Sequence, residues 1–328
     1  MLRHYSLQEP KVVHLIEASN RNENFLIEDA FGQHYVLRRY RRNQDERRVR
    51  FQLQFQRHLS LNRYPTAHIV ETTAQRLFVH DSPTPWALFS FVKGSEYDFS
   101  NLEQVAKAGR MLAKFHQVAA SFSEAEVITE WDQPFRSYWT GNYKEIATIT
   151  EMFAGRGVEE EVQFIFSCWR WILHRWLLGR LDRLAQGWVH ADYHGRNMLF
   201  KDDTLVGLFD FDVLFRGPLA YDLARSLWAF GRERRGSTHI REDAAKLCIQ
   251  SYSEVRPIQS DEVAAIPMMY LLMYLLMNDH MSARYLQYRE RDGDDIVARL
   301  KASVSATRLL VEETQRLAKT FGWETPDV

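Results

Sequence analysis

Two short stretches hold the residues best suited to chemistry: His190-Ala191-Asp192-Tyr193-His194-Gly195-Arg196-Asn197 and Leu208-Phe209-Asp210-Phe211-Asp212. They offer an acid, then an amide, then a second acid. Asp192 can accept the hydrogen bond of an alcohol and orient that hydroxyl for attack. Asn197 supplies a neutral oxygen and Asp210 a charged one to a hard cation. Mg²⁺ takes one or two protein carboxylates and fills the rest of its shell with water and phosphate oxygens. The set is what phosphoryl transfer from a nucleotide triphosphate to a hydroxyl requires. A lone H-x-D is commonly just a turn, so the elements around these residues decide between the two readings.

Those elements are legible. Trp188-Val189 is a short apolar run ahead of the loop. Met198-Leu199-Phe200 is a second, Lys201-Asp202-Asp203-Thr204 reads as a polar turn, and Leu205 to Phe209 is apolar again. Two short strands around such a turn form a hairpin. It carries Asn197 at its entrance and Asp210 at its exit, which puts both cation ligands on one side.

With these residues in view, Gly187 to Gly231 resembles the core of the aminoglycoside phosphotransferase and choline kinase superfamily, small-molecule kinases similar in fold to protein kinases. The H-x-D-x-x-x-x-N loop, the D-F-D segment and Gly217-Pro218-Leu219-Ala220-Tyr221-Asp222-Leu223-Ala224 carry the resemblance. D-F-D in place of D-F-G, with no A-P-E element, separates the chain from protein kinases. Outside this core, Asn24-Phe25-Leu26-Ile27 resembles the strand that closes the nucleotide loop. Tyr35-Val36-Leu37-Arg38 resembles the strand with the phosphate-binding cation, Leu88 to Gly94 the hinge, and Leu112-Ala113-Lys114-Phe115-His116 a helix near the front of the larger lobe. The N-terminal motifs resemble homoserine kinase-like and spore-coat-kinase-like members more than antibiotic-resistance enzymes.

The resemblance implies a protein-kinase-like bilobal α+β fold, with a nucleotide-binding lobe at 1–92 and a helical catalytic and substrate-binding lobe at 93–328. It implies Asp192 as the catalytic residue, Asn197 and Asp210 as Mg²⁺ ligands, and Arg38, Asn24, Ser90, Phe91 and Val92 as nucleotide contacts. ATP is the implied donor, with GTP as the alternative. The acceptor is a small molecule with a hydroxyl: an amino alcohol, hydroxy amino acid, sugar or aminoglycoside. A non-catalytic nucleotide-binding protein and a kinase acting on a peptide hydroxyl are the competing readings.

Two departures from the family pattern matter. The phosphate-binding position holds Arg38 rather than lysine, and a planar fork is not equivalent to a point charge. Arg39 is next to it, but strand alternation turns it to the other face. The following helix should present an acid to that cation, yet Phe51-Gln52-Leu53-Gln54-Phe55 offers glutamines. Glu46 is the nearest acid, which leaves the pairing open. The nucleotide loop, Ala18 to Asn24, is Asn-dense instead of Gly-rich. A phosphate-facing turn and a plain hairpin turn suit it equally.

Composition sets the remaining bounds. The chain has 328 residues, 45% hydrophobic and 26% charged, enough for a large core in two lobes. A net charge of −1 argues against a general nucleic-acid binder. The basic runs Arg38 to Arg42 and Arg47 to Arg50 suit solvated faces better than an RNA patch. Cys168 and Cys248 stand far apart in apolar surroundings, as reduced core thiols do. The first residues are polar, without a signal pattern, and the apolar run Val263 to Met277 is too short to span a bilayer and contains Pro267. A cytoplasmic protein without membrane or nucleic-acid partners is expected; the oligomeric state is not read.

Periodicity predicts strands at Val12–Ile16, Phe25–Glu28, Tyr35–Tyr40, Leu77–His80 and Trp86–Phe91, with one helix over Arg47–Asn62. Helices are expected at Leu102–Ser121, Gln163–Ala185, Tyr221–Ala229, Ile240–Ser253, Val263–Arg289 and Ile296–Phe321. His190 is expected to brace the loop, His194 to face solvent, Asp212 to hold its own loop, Asp222 to cap a helix and brace the catalytic loop, and Arg216 to pair with an acid. Trp131, Asp132, Tyr138, Tyr274, Asn278, Asp279 and His280 are candidates for acceptor recognition, each equally at home in core or surface.

Overall fold

A computed structural model describes residues 1–18, 22–41, 45–81, 83–123, 147–177, 183–277 and 283–325. The chain divides into two compact units. The first comprises Met1–Asp98, Lys114–Ile128 and Gly195–Leu214; the second comprises Phe99–Ala113, Thr129–His194 and Phe215–Val328. The fold class is α+β, with the sheet at the N-terminal end and helices dominating after it.

The first unit is built on a six-stranded antiparallel sheet. β1 (Lys11–Ala18), β2 (Asn22–Glu28), β3 (His34–Tyr40), β6 (Thr84–Ser90) and β4 (Ile69–Val70) lie in that order, and β5 (Val79–Asp81) pairs with β6. β-Branched and aromatic residues fill these strands, and their alternation divides the sheet into two faces. One face carries Val36, Tyr40, Ala87 and Phe89 and packs on Val49 and Leu53 of helix α1 (Glu46–Leu61). Asp45 caps α1 by accepting the Arg47 N–H. The other face, with Ile27, Leu37 and Leu88, is covered by Tyr5 and by Met1, Leu2 and Leu7. That cover is tied down by Thr73 N–H to the His4 carbonyl and Ala30 N–H to the Gln8 carbonyl.

Arg38 stands opposite Asn24 on β2 and Ala87 on β6, on the α1 face. Arg39 points the other way, pairing with Glu23 at 3.2 Å and lying over the Trp86 ring. The expected five strands are present, and β4 is a sixth: two residues are too few to show a period.

The expected hairpin is also in this unit. β8 (Met198–Lys201) pairs antiparallel with β9 (Thr204–Leu208), with Asp202 in the left-handed region at the turn. It is stitched to its surroundings by the Ser95–Phe200 pair of backbone bonds and by Leu208 N–H to the Pro65 carbonyl.

In the second unit, β7 (Gln186–Val189) pairs with β10 (Phe215–Pro218). The helices are α2 (Leu102–Ala119, whose last turns belong to the first unit), α3 (Glu159–Leu177), α4 (Leu219–Phe230), α5 (Glu242–Ser253), α6 (Ser260–Met277), α7 (Ala283–Arg291) and α8 (Ile296–Phe321). α4 is buried along most of its length and packs on α5 and α6, while α8 packs on α3 and α6. α2 and α5 approach closely at Gly109, where an added Cβ would stand 2.5 Å from the Cys248 carbonyl oxygen. The run Val263–Arg289 divides between α6 and α7, with 278–282 outside the description. Both cysteines are buried and free. Among the described residues no helix is long and apolar enough to cross a membrane.

Candidate functional site

In the second unit, the end of β7 and the start of α4 build the setting of Asp192. His190 and Ala191 leave β7 in a sharp turn, with Ala191 at φ 65°. Only a specific hold makes alanine adopt that conformation. The hold is Asp222, fully buried on the first turns of α4, whose carboxylate accepts the His190 N–H at 2.7 Å and the Ala191 N–H at 2.9 Å. The expected brace is therefore present, but Asp222 is not a cap: Pro218 takes the N-cap position of α4. His190 is fully buried, and its Nδ1 accepts the Asp192 N–H at 3.3 Å.

The Asp192 side chain is 22% exposed and its Oδ1 is gripped from two sides. Arg225 donates at 2.6 Å and His194 Nε2 stands 3.2 Å away. Burial alone would raise this carboxyl, but His194, Arg225 and His190 together hold it well below the usual carboxylate range. His194 is thus engaged with the acid rather than turned to solvent. Arg225 was missed by sequence reading. The signal was there: three residues after Asp222 on one helix, it shares the face that meets the loop. Arg216 lies over the Trp188 ring.

In the first unit, Asn197 and Asp210 flank the open end of the β8–β9 hairpin. The Phe209 N–H donates to the Asn197 carbonyl at 2.9 Å, extending the ladder to the residue before Asp210. Asp210 has φ 63°. Arg38 reaches the same segment: its Nη2 is 3.6 Å from Asp210 Oδ1 and 3.1 Å from Asp212 Oδ2. Burial would lower the pKa of the Arg38 guanidinium, but Asp212, Tyr40 and Asp210 raise it above its ordinary value. Asn22 donates to the same Asp212 oxygen at 2.7 Å. Helix α1 meets this segment through donors, with Arg48 and Gln52 bonding the Asp212 carbonyl at 2.9 and 3.3 Å. Glu46, the acid weighed for Arg38, pairs with Arg50 instead.

Asn24 lies opposite Arg38 in the ladder, and Asn22, not Asn24, reaches Asp212. Ser90, Phe91 and Val92 lie together at the end of β6. The Ser90 and Phe91 N–H groups are bonded to the carbonyls of His68 and His34. Phe91 is exposed, with the His34 ring edge-on at 5.8 Å, and Val92 packs against the α1-side core. Trp131, Asp132, Tyr138, Asn278, Asp279, His280 and the Tyr274 side chain lie outside the described residues.

Asn197 and Asp210 offer oxygen donors only, which suits Mg²⁺. Among the described residues no three His, Cys, Asp or Glu side chains gather as a metal site. So sparse a set fits a cation that brings phosphate oxygens as its further ligands, and fits poorly an all-protein cage.

Comparison with known proteins identifies the family. The chain is 27% identical over 268 residues to a homoserine kinase of Chelativorans sp. (strain BNC1), covering 82% of this chain and 79% of that protein. The fold matches a microcompartment-associated aminopropanol kinase with a TM-score of 0.68 and 17% identity, over 99% of this chain and 97% of that one. It matches the amicoumacin kinase hAmiN, solved in complex with AMP-PNP, Ca²⁺ and Ami, with a TM-score of 0.68 and 15% identity over 96% of this chain and 91% of that one. The pattern of the family described as "phosphotransferase enzyme family" matches residues 12–258, and the chain belongs to that family, as one of its small-molecule O-kinases.

Proposed function

We propose that this kinase moves the γ-phosphoryl group of ATP, with GTP as the alternative donor, to the hydroxyl of a small amine-bearing acceptor, a hydroxy amino acid or amino alcohol, in the cytoplasm. The hairpin end flanked by Asn197 and Asp210 supports the reading: its backbone bond from Phe209 to Asn197 ends one residue before Asp210, and two oxygen donors there suit a Mg²⁺ that also binds phosphate. The bound ion would neutralise charge developing on the transferred group. Arg38 binds the phosphates with its fork. Asn24 borders them from the neighbouring strand. With the Ser90 and Phe91 N–H groups already bonded, the Ser90 carbonyl and the Val92 N–H are left to meet the purine edge.

Asp192 orients the acceptor hydroxyl. The bond from that oxygen to the γ-phosphorus forms as the bond to the bridging oxygen of ADP breaks, and the hydroxyl proton passes to Asp192. Arg225 and His194 make Asp192 a weak base, so the proton moves late, once the new O–P bond has made it acidic. The nucleotide is handled by 1–92 and the acceptor by 93–328. The similarity to homoserine kinases and the fold of the aminopropanol kinase support the acceptor class. A non-catalytic reading drew on the missing acid partner of Arg38, and Asp212 supplies that acid.

ADP formation across homoserine, 1-amino-2-propanol, sugars and aminoglycosides tests the assignment. Turnover is expected with the first two. Asp192→Ala should abolish it while Mg·ATP binding persists; normal turnover in that variant refutes the role of Asp192.

A further inference from the structure

In the family pattern noted above, the strand cation is steadied by an acid on the following helix. Here α1 carries glutamine and arginine toward the D-F-D segment, and both donate to the Asp212 backbone carbonyl. That carbonyl is held at 2.9 and 3.3 Å. The Asp212 side chain accepts from Arg38 at 3.1 Å. Asn22 fixes the identical oxygen at 2.7 Å from β2. Asp212 is 8% exposed, so its side-chain oxygen meets these partners more than water.

We propose that Asp212 is the positioning residue for Arg38, doing from the D-F-D segment what a helix acid does elsewhere. Asp212 therefore acts on the nucleotide through Arg38 and is not itself a cation ligand. The arrangement explains how β3 can carry arginine. A guanidinium presents several N–H groups in one plane, so one edge can stay on Asp212 while another faces an anion. Lysine, a single point, could not serve both with fixed geometry. It also explains why Gln52 suffices on α1: the helix is coupled to the segment through a backbone carbonyl, which needs a donor. The inference rests on Arg38 being a phosphate contact, and the test separates the two ideas.

Calorimetric titration of the full-length protein with ATP, with and without Mg²⁺, and with adenosine, is carried out on Arg38→Ala, Asp212→Asn and the double variant. Arg38→Ala should weaken ATP about 10- to 100-fold, the range of a charged hydrogen-bond contact. Asp212→Asn should weaken it at least about 10-fold, in EDTA as well as in Mg²⁺, with adenosine binding unchanged. The double variant should fall within about twofold of Arg38→Ala, because both changes remove one coupled interaction. Should Asp212→Asn fail to fold, Asn22→Ala loosens the same oxygen and should cost about 3- to 10-fold for ATP alone. Unchanged ATP affinity in Asp212→Asn overturns the proposal, as do an equal loss for adenosine, a loss confined to Mg²⁺, or additive losses in the double variant. If Arg38→Ala itself binds ATP normally, the phosphate-contact assignment falls with it.

Discussion

Replacing Asp222 with asparagine removes the charge beneath the loop that carries Asp192 while keeping size and shape. The carboxylate accepts two backbone N–H groups, at 2.7 and 2.9 Å, in a residue with no exposed surface. Asparagine has one acceptor oxygen, so it can serve only one of them; its amide nitrogen then faces the other N–H. An unsatisfied buried donor costs about 1–3 kcal/mol, and the retained bond loses about 1 kcal/mol of charge assistance. The local penalty is therefore about 2–4 kcal/mol. It falls on Ala191, whose left-handed backbone already costs about 1–2 kcal/mol.

Hydrogen exchange read by mass spectrometry on a peptide spanning 188–194 measures this directly. A penalty of about 2–4 kcal/mol lowers protection by about 30- to 900-fold, at about 1.36 kcal/mol per decade. Displacing Asp192 by a fraction of an ångström should lower kcat on the order of 100-fold. Adding Ala191→Gly to Asp222→Asn should return part of both losses, since glycine holds that backbone freely. Protection within threefold of the parent together with undiminished kcat would refute the reasoning, for it would mean that something other than Asp222 fixes the turn.

Two further outcomes follow from packing and charge. In Arg225→Met the Asp192 carboxyl should rise part of the way toward the ordinary carboxylate range, His194 still holding it down, and its ¹³C NMR titration should show this; the folded-state pKa is depressed, so the stability it contributes is complete above about 3.9 and is lost as pH falls through the folded value. An unmoved titration would leave His194 as the whole cause. Gly109→Ala drives a Cβ to 2.5 Å from the Cys248 carbonyl, a backbone atom that cannot swing aside, and should cost about 1–3 kcal/mol, seen as a thermal midpoint lowered by about 2–10 °C.

The sequence revealed those parts of the site that local spacing controls. The β8–β9 hairpin was readable because its strands, turn and chemical residues fit within fourteen positions, from Asn197 to Asp210. The brace by Asp222 was readable from the motif around it, although its place inside α4, not at its cap, needed the backbone. Arg38 and Asp212 are 174 positions apart, and no period or spacing links them. On α1 the nearest acid in sequence is Glu46, and it pairs with Arg50 one turn away. Residues 1–7 gave no hint of covering the sheet, because an irregular segment has no period to betray a buried side. His194 looked solvent-facing for the same reason: a loop residue's partner depends on where the loop turns.

Ala191 and Asp210 are both non-glycine residues at positive φ, and each adjoins a proposed chemical group or is one. Left-handed backbone is disfavoured by about 1–2 kcal/mol for a residue like alanine and less for aspartate, whose side chain can bond locally. Each is held in its own unit: Ala191 by a buried hydrogen bond to Asp222, and the Asp210 segment by the partly exposed Phe209–Asn197 backbone bond and the ion pair with Arg38. Neither hold draws on the residue's own intrinsic preference, so each conformation persists only while the surrounding bonds do. Both conformations are set by contacts within the protein itself. Catalysis by positioning gains from that, since a donor or acceptor already aimed loses no further freedom at the moment of transfer. Glycine at 191 would remove the strain but also the restriction, which is why the rescue of Asp222→Asn by Ala191→Gly should restore protection more fully than it restores kcat.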